Sequence, residues 1–173
     1  LEMAEALAAT GRNVFAAAKS QADENSFESE NIFGATWNKS SAVSAHSLLI
    51  KAETKLGNIE EVLFYFDTSY FCSKFEIDKT EEISSAVDTM INSYLYAASE
   101  LLKRIDQKKE KILVSFLLRE YPSKAEMINA KNSISVPASG IVSAAQSAFI
   151  SIAENFATGI ADRNYLSVLL ARC

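Results

Sequence analysis

Five short runs of apolar residues recur along the chain, and each has the length of a buried β-strand. The apolar residues in them are consecutive rather than alternating with polar ones, as is typical of parallel strands covered on both faces. We therefore predict buried strands over residues 13–18, 31–37, 59–66, 111–118 and 165–171.

Helical patterns lie between these runs. The first segment is rich in good helix formers and is followed by Gly11, a residue type that readily takes the left-handed conformation at a helix end. Ser40 or Ser41 can cap a second helix that closes at Gly57, and Thr80 starts a long amphipathic segment. We predict helices over 2–10, 42–56, 80–105 and 139–161, loops over 19–30 and 67–79, and an irregular region containing Pro122 and Pro137.

From residue 42 onwards the strand and helix patterns alternate, which indicates parallel strands joined by right-handed helical crossovers. The predicted fold class is α/β, with a doubly wound, mainly parallel sheet in a three-layer α/β/α arrangement. A chain of 173 residues with 49% hydrophobic and 23% charged residues is long enough for one domain with its own core. A single domain over residues 1–173 is predicted.

The charge balance argues against a nucleic-acid surface. The formal net charge is −5 and acidic residues interrupt the one basic run, 103–111, whereas phosphate binding needs clustered Lys and Arg. No apolar run reaches the roughly 18 to 20 residues that cross a bilayer, and Glu2 and Glu5 interrupt any signal-peptide pattern. Cys72 and Cys173 stand far apart without a neighbouring His or Cys, which favours a reducing compartment and no metal site. We predict a soluble, cytoplasmic protein without a nucleic-acid or membrane partner.

Several stretches of the sequence resemble sequence motifs of one known family. Residues 2–20 (EMAEALAATGRNVFAAAKS) look like its first helix and second strand, and residues 56–67 (LGNIEEVLFYFD) look like its fourth strand. Residues 91–105 (INSYLYAASELLKRI), 110–118 (EKILVSFLL) and 140–157 (GIVSAAQSAFISIAENFA) resemble the next helix, the fifth strand and the helix after it. The family is that of the short-chain dehydrogenases/reductases, and the resemblance implies a Rossmann-like fold that is incomplete at its amino terminus.

The resemblance also implies a set of catalytic positions. In this family a Tyr and a Lys lie four residues apart on one helix face, where the ammonium lowers the pKa of the phenol. The corresponding positions here hold Val142 and Gln146. Val142 has no proton to exchange, and Gln146 has no charge that could lower a neighbouring pKa. Asn92 alone matches the family's catalytic Asn, and it can equally be an ordinary helix residue. The family's Ser falls at 116–118, where only apolar residues stand, and alternation aims the nearby Ser115 at another face. No catalytic residue is therefore predicted.

The positions that bind the cofactor in this family also lack their usual residues here. Dinucleotide binding needs a glycine-rich turn between a first strand and a first helix, and the given sequence starts within that helix. The family's Asn-Asn-Ala-Gly end becomes residues 64–67 (FYFD), whose bulky rings would fill the cofactor floor. Lys19 and Ser20 follow the second strand, where a basic residue can hold a 2′-phosphate, although a solvated Lys explains this position as well. We predict no cofactor, with NAD(P) only under the alternative function below.

The family's first strand lies at the centre of its sheet. Without it, the neighbouring strands would lie roughly 9 to 10 Å apart with unpaired backbone groups between them. We expect that residues before Leu1 supply this strand, or else that 13–18 and 59–66 pair directly. A sheet centre that is neither paired nor filled would count against the fold. The ending at Cys173 is likewise early for this family.

Two helices are candidates for self-association. Small residues recur along 139–161, and the resemblance implies a four-helix homodimer interface formed by this helix and the one around 83–105. The other interpretation is a helix that is buried within one subunit. An unidentified protein partner is left open.

Two functions remain open. The first is a catalytically degenerate relative of the dehydrogenases that acts as a binding, scaffolding or regulatory module. The second is a working NAD(P)-dependent oxidoreductase whose proton donor is another group, such as Tyr94, Tyr96 or Tyr121. His46, the only histidine, is better explained as an exposed helix residue. We favour the degenerate module.

Overall fold

The computed structural model of the chain describes residues 2–18, 30–75, 80–120 and 136–173, without the side chains of residues 2, 80, 81 and 136–139. The strands are β1 (Val14–Ala18), β2 (Ile32–Thr36), β3 (Glu61–Asp67), β4 (Ile112–Arg119) and β5 (Leu166–Arg172). The helices are α1 (Glu2–Ala8), α2 (Ala42–Leu56), α3 (Thr68–Cys72), α4 (Thr80–Val87), α5 (Ser93–Lys108) and α6 (Val136–Gly159), with a π-helical turn at Asp88–Asn92. The five predicted strands are confirmed to within two residues at each end.

Helix α2 shows why its ends were predictable. Ser41 Oγ accepts a hydrogen bond from the backbone N–H of Ser44 at 3.2 Å, which satisfies one of the free donors of the first turn. Gly57 follows the last turn with a φ of 75°, and its N–H donates to the carbonyl oxygen of Glu53 at 2.8 Å.

Three local features differ from the prediction. Residues 68–72 form helix α3 where a loop was expected, because Asp67 caps the turn and Phe71 is buried in the core. The long helix contains a π-helical turn, in which the Ser93 N–H bonds the Asp88 carbonyl five residues back. Helix α6 begins at Val136, earlier than the predicted start at residue 139.

All the strands run parallel, as predicted, but they form two sheets. Val14 of β1 lies opposite Ile32 of β2 in a two-stranded sheet. The other sheet has the order β3-β4-β5, with Glu61 opposite Leu113 and Ile112 opposite Leu166. Helices separate the successive strands from β2 to β5, so the doubly wound α/β class is confirmed.

The core lies between the three-stranded sheet and helices α4 to α6. Phe149 of α6 is fully buried at its centre, with ring centroids 5.4 Å from Phe66, 5.7 Å from Phe116 and 5.0 Å from Tyr94. The interplanar angles of these pairs lie between 41° and 77°, away from the less favourable face-to-face arrangement. This nest of rings fixes the position of α6 over the sheet.

Among the described residues, β1 and β3 flank an unpaired opening between the two sheets. In the described part of the chain no ladder joins β1 to β3, so the direct pairing that we considered is wrong. An ion pair between Arg12 Nη1 and Glu61 Oε2, 2.8 Å apart, links the amino ends of the two strands instead. The order, direction and layering of the elements still follow the doubly wound pattern.

None of the helices in the described part of the chain combines the length and the hydrophobicity needed to span a bilayer.

Candidate functional site

Ligands of parallel α/β folds bind outside the carboxyl ends of the strands, so the candidate site is sought there. Strand β3 ends at Asp67 and its neighbour β4 ends at Arg119, and the two residues lie opposite each other in the ladder. Arg119 Nη1 donates to Asp67 Oδ2 at 3.3 Å. A carboxylate and a guanidinium therefore lie together at the edge of the sheet where parallel α/β folds bind their ligands.

Asp67 holds three groups together. Besides the guanidinium, its Oδ2 accepts a hydrogen bond from the hydroxyl of Tyr65 at 3.1 Å. Its Oδ1 accepts from the backbone N–H of Tyr70 at 3.0 Å and so caps helix α3. The carboxylate is thus engaged on both oxygens.

Thr68 and Gln146 extend this cluster toward helix α6. Thr68 is buried, and its hydroxyl donates to the carbonyl oxygen of Arg119 at 2.8 Å. Gln146 Oε1 lies 3.3 Å from the same hydroxyl. Gln146, which the resemblance aligns with the family's Lys, is therefore linked to the start of α3, and it carries no charge.

The electrostatics of this edge keep the Tyr65 phenol protonated near neutral pH. Burial raises the pKa of Tyr65, and the hydrogen bond to Asp67 and its negative charge raise it further. A phenol that is to exchange a proton near pH 7 needs a pKa that is lowered, as an adjacent ammonium would do. Tyr65 stays protonated and acts as a donor to Asp67.

The positions that the resemblance identified are only partly brought together. Val142 is fully buried and belongs to the core. Gln146 lies at the carboxyl edge, as described above. Asn92 donates through Nδ2 to Asp88 Oδ1 at 2.8 Å, within the π-helical turn. Ser115 is buried on the face of β4 opposite to Phe116, as alternation predicts.

The alternative proton donors have structural explanations where the structure describes them. The Tyr94 hydroxyl donates to the carbonyl oxygen of Tyr65 at 2.6 Å, and burial raises the pKa of this phenol well above its usual range. Tyr96 is half-buried on α5, and Tyr121 lies outside the described residues. His46 Nδ1 lies 2.6 Å from Glu100 Oε1, between helices α2 and α5 and away from the strand ends.

The structure describes part of the positions that the resemblance connects with a dinucleotide. Phe64 and Phe66 fill the core instead of the cofactor floor that we expected them to block. No two of the five glycines in the given sequence stand close enough together to form a glycine-rich turn. Lys19 and Ser20, the candidate cofactor residues, lie outside the described residues. We derive no reaction step through a cofactor.

Sequence reasoning did not identify Arg119 or Thr68. The available signal was a charged residue directly after each of two neighbouring parallel strands, because such strands end at the same edge. In the described residues no group of three or more His, Cys, Asp or Glu side chains is placed to hold a metal ion.

The sequence matches no protein-family model, and no curated protein matches it at a significant level. Solved structures do match the fold. An oxidoreductase of the short-chain dehydrogenase/reductase family from Aeromonas hydrophila superposes with a TM-score of 0.70 and 13% sequence identity, over 99% of this chain and 76% of that one. Sorbitol-6-phosphate 2-dehydrogenase from Erwinia amylovora gives 0.66 and 12%, over 98% of this chain and 64% of that one.

An alcohol dehydrogenase from Thermococcus sibiricus, complexed with 5-hydroxy-NADP, gives a TM-score of 0.65 at 16% identity, over 98% of this chain and 68% of that one. The chain thus spans about two thirds of the length of these neighbours. The likenesses confirm the Rossmann-like fold of the short-chain dehydrogenases/reductases. At these identities they concern the fold alone.

Proposed function

We propose that the chain is a catalytically degenerate protein with the short-chain dehydrogenase/reductase fold, which acts as a binding, scaffolding or regulatory module. One observation carries this proposal. Val142, which the resemblance aligns with the family's Tyr, is fully enclosed in the core. A side chain that packs there contributes to stability and is out of reach of a substrate.

Gln146 supports the same conclusion. Its amide oxygen accepts from Thr68 beside the Asp67–Arg119 pair, so the residue that the resemblance aligns with the family's Lys forms a structural link between α6 and α3. At the carboxyl edge, Asp67, Thr68, Arg119 and Gln146 form hydrogen bonds with one another. We propose on this basis that the module binds no NAD(P).

A working NAD(P)-dependent oxidoreductase is the second candidate. It is favoured by the solved neighbours, one of which is complexed with 5-hydroxy-NADP. It needs a proton donor other than Tyr94, whose hydroxyl is committed to a backbone carbonyl.

Titration of the purified chain with NADH and NADPH separates the two candidates. We expect no saturable change in nicotinamide fluorescence for either cofactor up to roughly millimolar concentration, a range well above typical KM values. An active short-chain dehydrogenase serves as the positive control under the same conditions. Saturable binding together with hydride transfer to a carbonyl compound would overturn the proposal.

We further propose that the module is a homodimer through α4, α5 and α6. Ile83 and Leu95 expose 40% and 46% of their surface on α4 and α5. Ser143, Ala144 and Ser147 expose small side chains on α6, which permits close approach of a second helix. The free thiols Cys72 and Cys173 fit the cytoplasm that we propose as its compartment.

The mass of the protein in solution tests the dimer. We expect a dimer for the original chain and a shift toward monomer for Leu95→Arg, because a charge would be buried in the interface. Val43→Arg is the matched control, since Val43 is 74% exposed on α2, outside the proposed interface. A monomeric original chain, or equal effects of the two substitutions, contradicts this interface.

A further inference from the structure

A groove lies at the amino end of the three-stranded sheet, at the opposite end of the strands from the candidate site. It is bounded by helices α2 and α5 and by the segments that lead from these helices into β3 and β4. Its enclosed part has a volume of about 30 Å³, which is room for about two water-sized groups. The groove shares no residue with the carboxyl edge described above.

The deep part of the groove is apolar. Five aliphatic side chains line it, which are Leu49, Ile59, Leu101, Ile105 and Ile112. Leu101 and Ile105 of α5 are 3% and 4% exposed and belong to the main core, so close packing holds this wall in place. Aliphatic walls offer no hydrogen bond to a water molecule, and the enclosed space therefore favours an apolar group.

The charged residues of the lining are more exposed than Leu101 and Ile105, and they form the mouth. The carboxylate of Glu53 in α2 lies 2.5 Å from Arg104 Nη1 and 3.0 Å from Lys108 Nζ, both in α5. Arg104 Nε also lies 3.2 Å from Glu100 Oε1. The two cations of the lining are thus already compensated by carboxylates of the chain itself.

Glu110 differs from these residues. It lines the groove and is exposed, and within the part of the chain that the structure describes it takes part in no ion pair. Its carboxylate is therefore the one charge of the lining that lacks an opposite charge beside it among the described residues.

Two helix ends add further hydrogen-bond acceptors. Helices α2 and α5 run parallel, because His46 pairs with Glu100, and Glu53 pairs with Lys108 further along both helices. Helix α2 ends at Leu56 and α5 at Lys108, so both carboxyl ends border the groove. The last carbonyl oxygens of a helix have no intrahelical donor, and they carry the negative end of its dipole. The mouth therefore favours a cation that donates hydrogen bonds.

We propose that this groove binds a small primary ammonium compound with a short aliphatic tail. The tail occupies the enclosed apolar part, and the ammonium group lies at the mouth beside Glu110 and the two helix ends. Hydrogen bonds between an ammonium group and a carboxylate are stronger than those between neutral groups.

The order of the two parts also identifies the source of the ligand. Because the apolar part is deep and the charges stand at the mouth, the apolar end of the ligand must enter first. A Lys or Arg side chain of a partner protein would enter with its charged end first. The ligand is therefore a free small molecule.

This inference goes beyond the proposed function, because it gives the module a ligand class at a site away from the carboxyl ends of the strands. It does not depend on whether NAD(P) binds. Binding of an ammonium compound and binding of NADH or NADPH are measured separately, so failure of one leaves the other intact.

Three probes that share an isobutyl group test the charge of the ligand: isobutylammonium, isobutanol and 3-methylbutanoate. NMR signals of the methyl groups of Ile105 and Ile112 report on the groove, and those of Leu169, 51% exposed on β5, report non-specific binding. The titrations are made at about pH 7, where an alkylamine is protonated.

We expect saturable shifts at Ile105 and Ile112 with the ammonium compound, in the millimolar range because the ligand has so few heavy atoms. Isobutanol should bind at least about threefold more weakly, and 3-methylbutanoate should not saturate. Equal affinities for the ammonium compound and the alcohol, saturable binding of the carboxylate, or equal shifts at Leu169 would overturn the proposal. So would the absence of saturation by the ammonium compound up to roughly 100 mM.

Glu110→Gln then tests the charge at the mouth, since it keeps the size of an exposed side chain and should leave the fold unchanged. We expect the affinity for isobutylammonium to fall about threefold and that for isobutanol to stay the same. Glu154→Gln, an exposed position on α6 outside the groove, is the matched control and should change neither. If both variants bind the ammonium compound as the original chain does, Glu110 does not hold it and the proposal is wrong.

Discussion

The two sheets of this molecule are built from side chains of different size. The three-stranded sheet carries large rings that pack on one another and on α6, with Phe66 and Phe116 fully buried. Half of the ten residues in the two-stranded sheet are small, namely Ala16, Ala17, Ala18, Gly34 and Ala35. Buried apolar area is therefore concentrated in one half, and the smaller sheet depends on α1, α2 and the contacts across the opening.

The largest expected effect is the loss of stability when the Phe149 ring is removed from the core. Phe149→Ala removes the ring that contacts Phe66, Tyr94 and Phe116, and should lower the free energy of unfolding by about 3–5 kcal/mol. Phe33→Ala is the matched control in the smaller sheet, where the half-buried ring lies 5.8 Å from Lys55 Nζ. We expect a loss of only about 1 kcal/mol there. Urea unfolding measures both, and similar losses would contradict the comparison.

A smaller loss of stability is expected when the hydrogen bond between Tyr94 and strand β3 is removed. Tyr94→Phe keeps the ring and removes the hydroxyl that bonds the Tyr65 carbonyl, so the free energy of unfolding should fall by about 1–2 kcal/mol. Tyr70→Phe removes a hydroxyl from an exposed ring and should change it by less than about 0.5 kcal/mol. Thermal unfolding of the two variants is the measurement. Equal midpoints would mean that the buried bond contributes nothing.

The pH dependence of stability tests the ion pair between Asp106 and Arg163, which joins helix α5 to the segment before β5. Asp106 at the end of α5 accepts from Arg163 Nε at 2.5 Å and Nη2 at 2.9 Å. This hydrogen bonding lowers the pKa of Asp106 in the folded chain. The stabilisation is present above the ordinary Asp pKa of about 3.9 and is lost as the pH falls through the lower folded pKa.

Asp106→Asn should therefore lower the urea midpoint at pH 7 and make it less sensitive to acid than that of the original chain. Asp162→Asn is the control, because Asp162 is 90% exposed and its Oδ1 forms a longer ion pair with Arg163 Nη1, at 3.6 Å. If the difference in midpoint between the original chain and the Asp106→Asn variant were the same at pH 7 and at about pH 3, the ion pair would not be its cause.

The smallest effect concerns the link between the two halves. Arg12→Ala removes the exposed pair with Glu61 and should change the free energy of unfolding by at most about 0.5 kcal/mol. Its influence should appear locally, as faster amide exchange in β1 with unchanged exchange in β4. Lys103→Ala, on the outer face of α5, should leave β1 unchanged. Faster exchange in β4 would show that the link supports the whole fold.

Periodicity and end signals were sufficient to predict most of the fold. The five strands follow from continuous apolar runs, and Ser41 and Gly57 mark the ends of α2 because their roles are local. Helix α3 was missed because its stability comes from burial of Phe71 in the core, which a short window of sequence does not reveal.

The candidate site was less predictable because it depends on which strands are neighbours. Asp67 and Arg119 are separated by fifty-one intervening residues, and only the β3–β4 ladder brings them together. The partner of Tyr94 is a backbone carbonyl, a group that every residue carries and that no sequence pattern marks. The fate of Val142 was predictable in part, since an aliphatic side chain on a helix face favours burial.

The π-helical turn at Asp88–Asn92 has a consequence for how sequences related to this one are aligned. Such a turn holds one residue more than an α-helical turn, as a single-residue insertion would produce. One extra residue rotates everything beyond it by about 100° around the helix axis. A gap-free alignment with a helix that lacks this turn is in register on only one side of it, so equivalences at Asn92 and at Tyr94 require a gap placed within the turn.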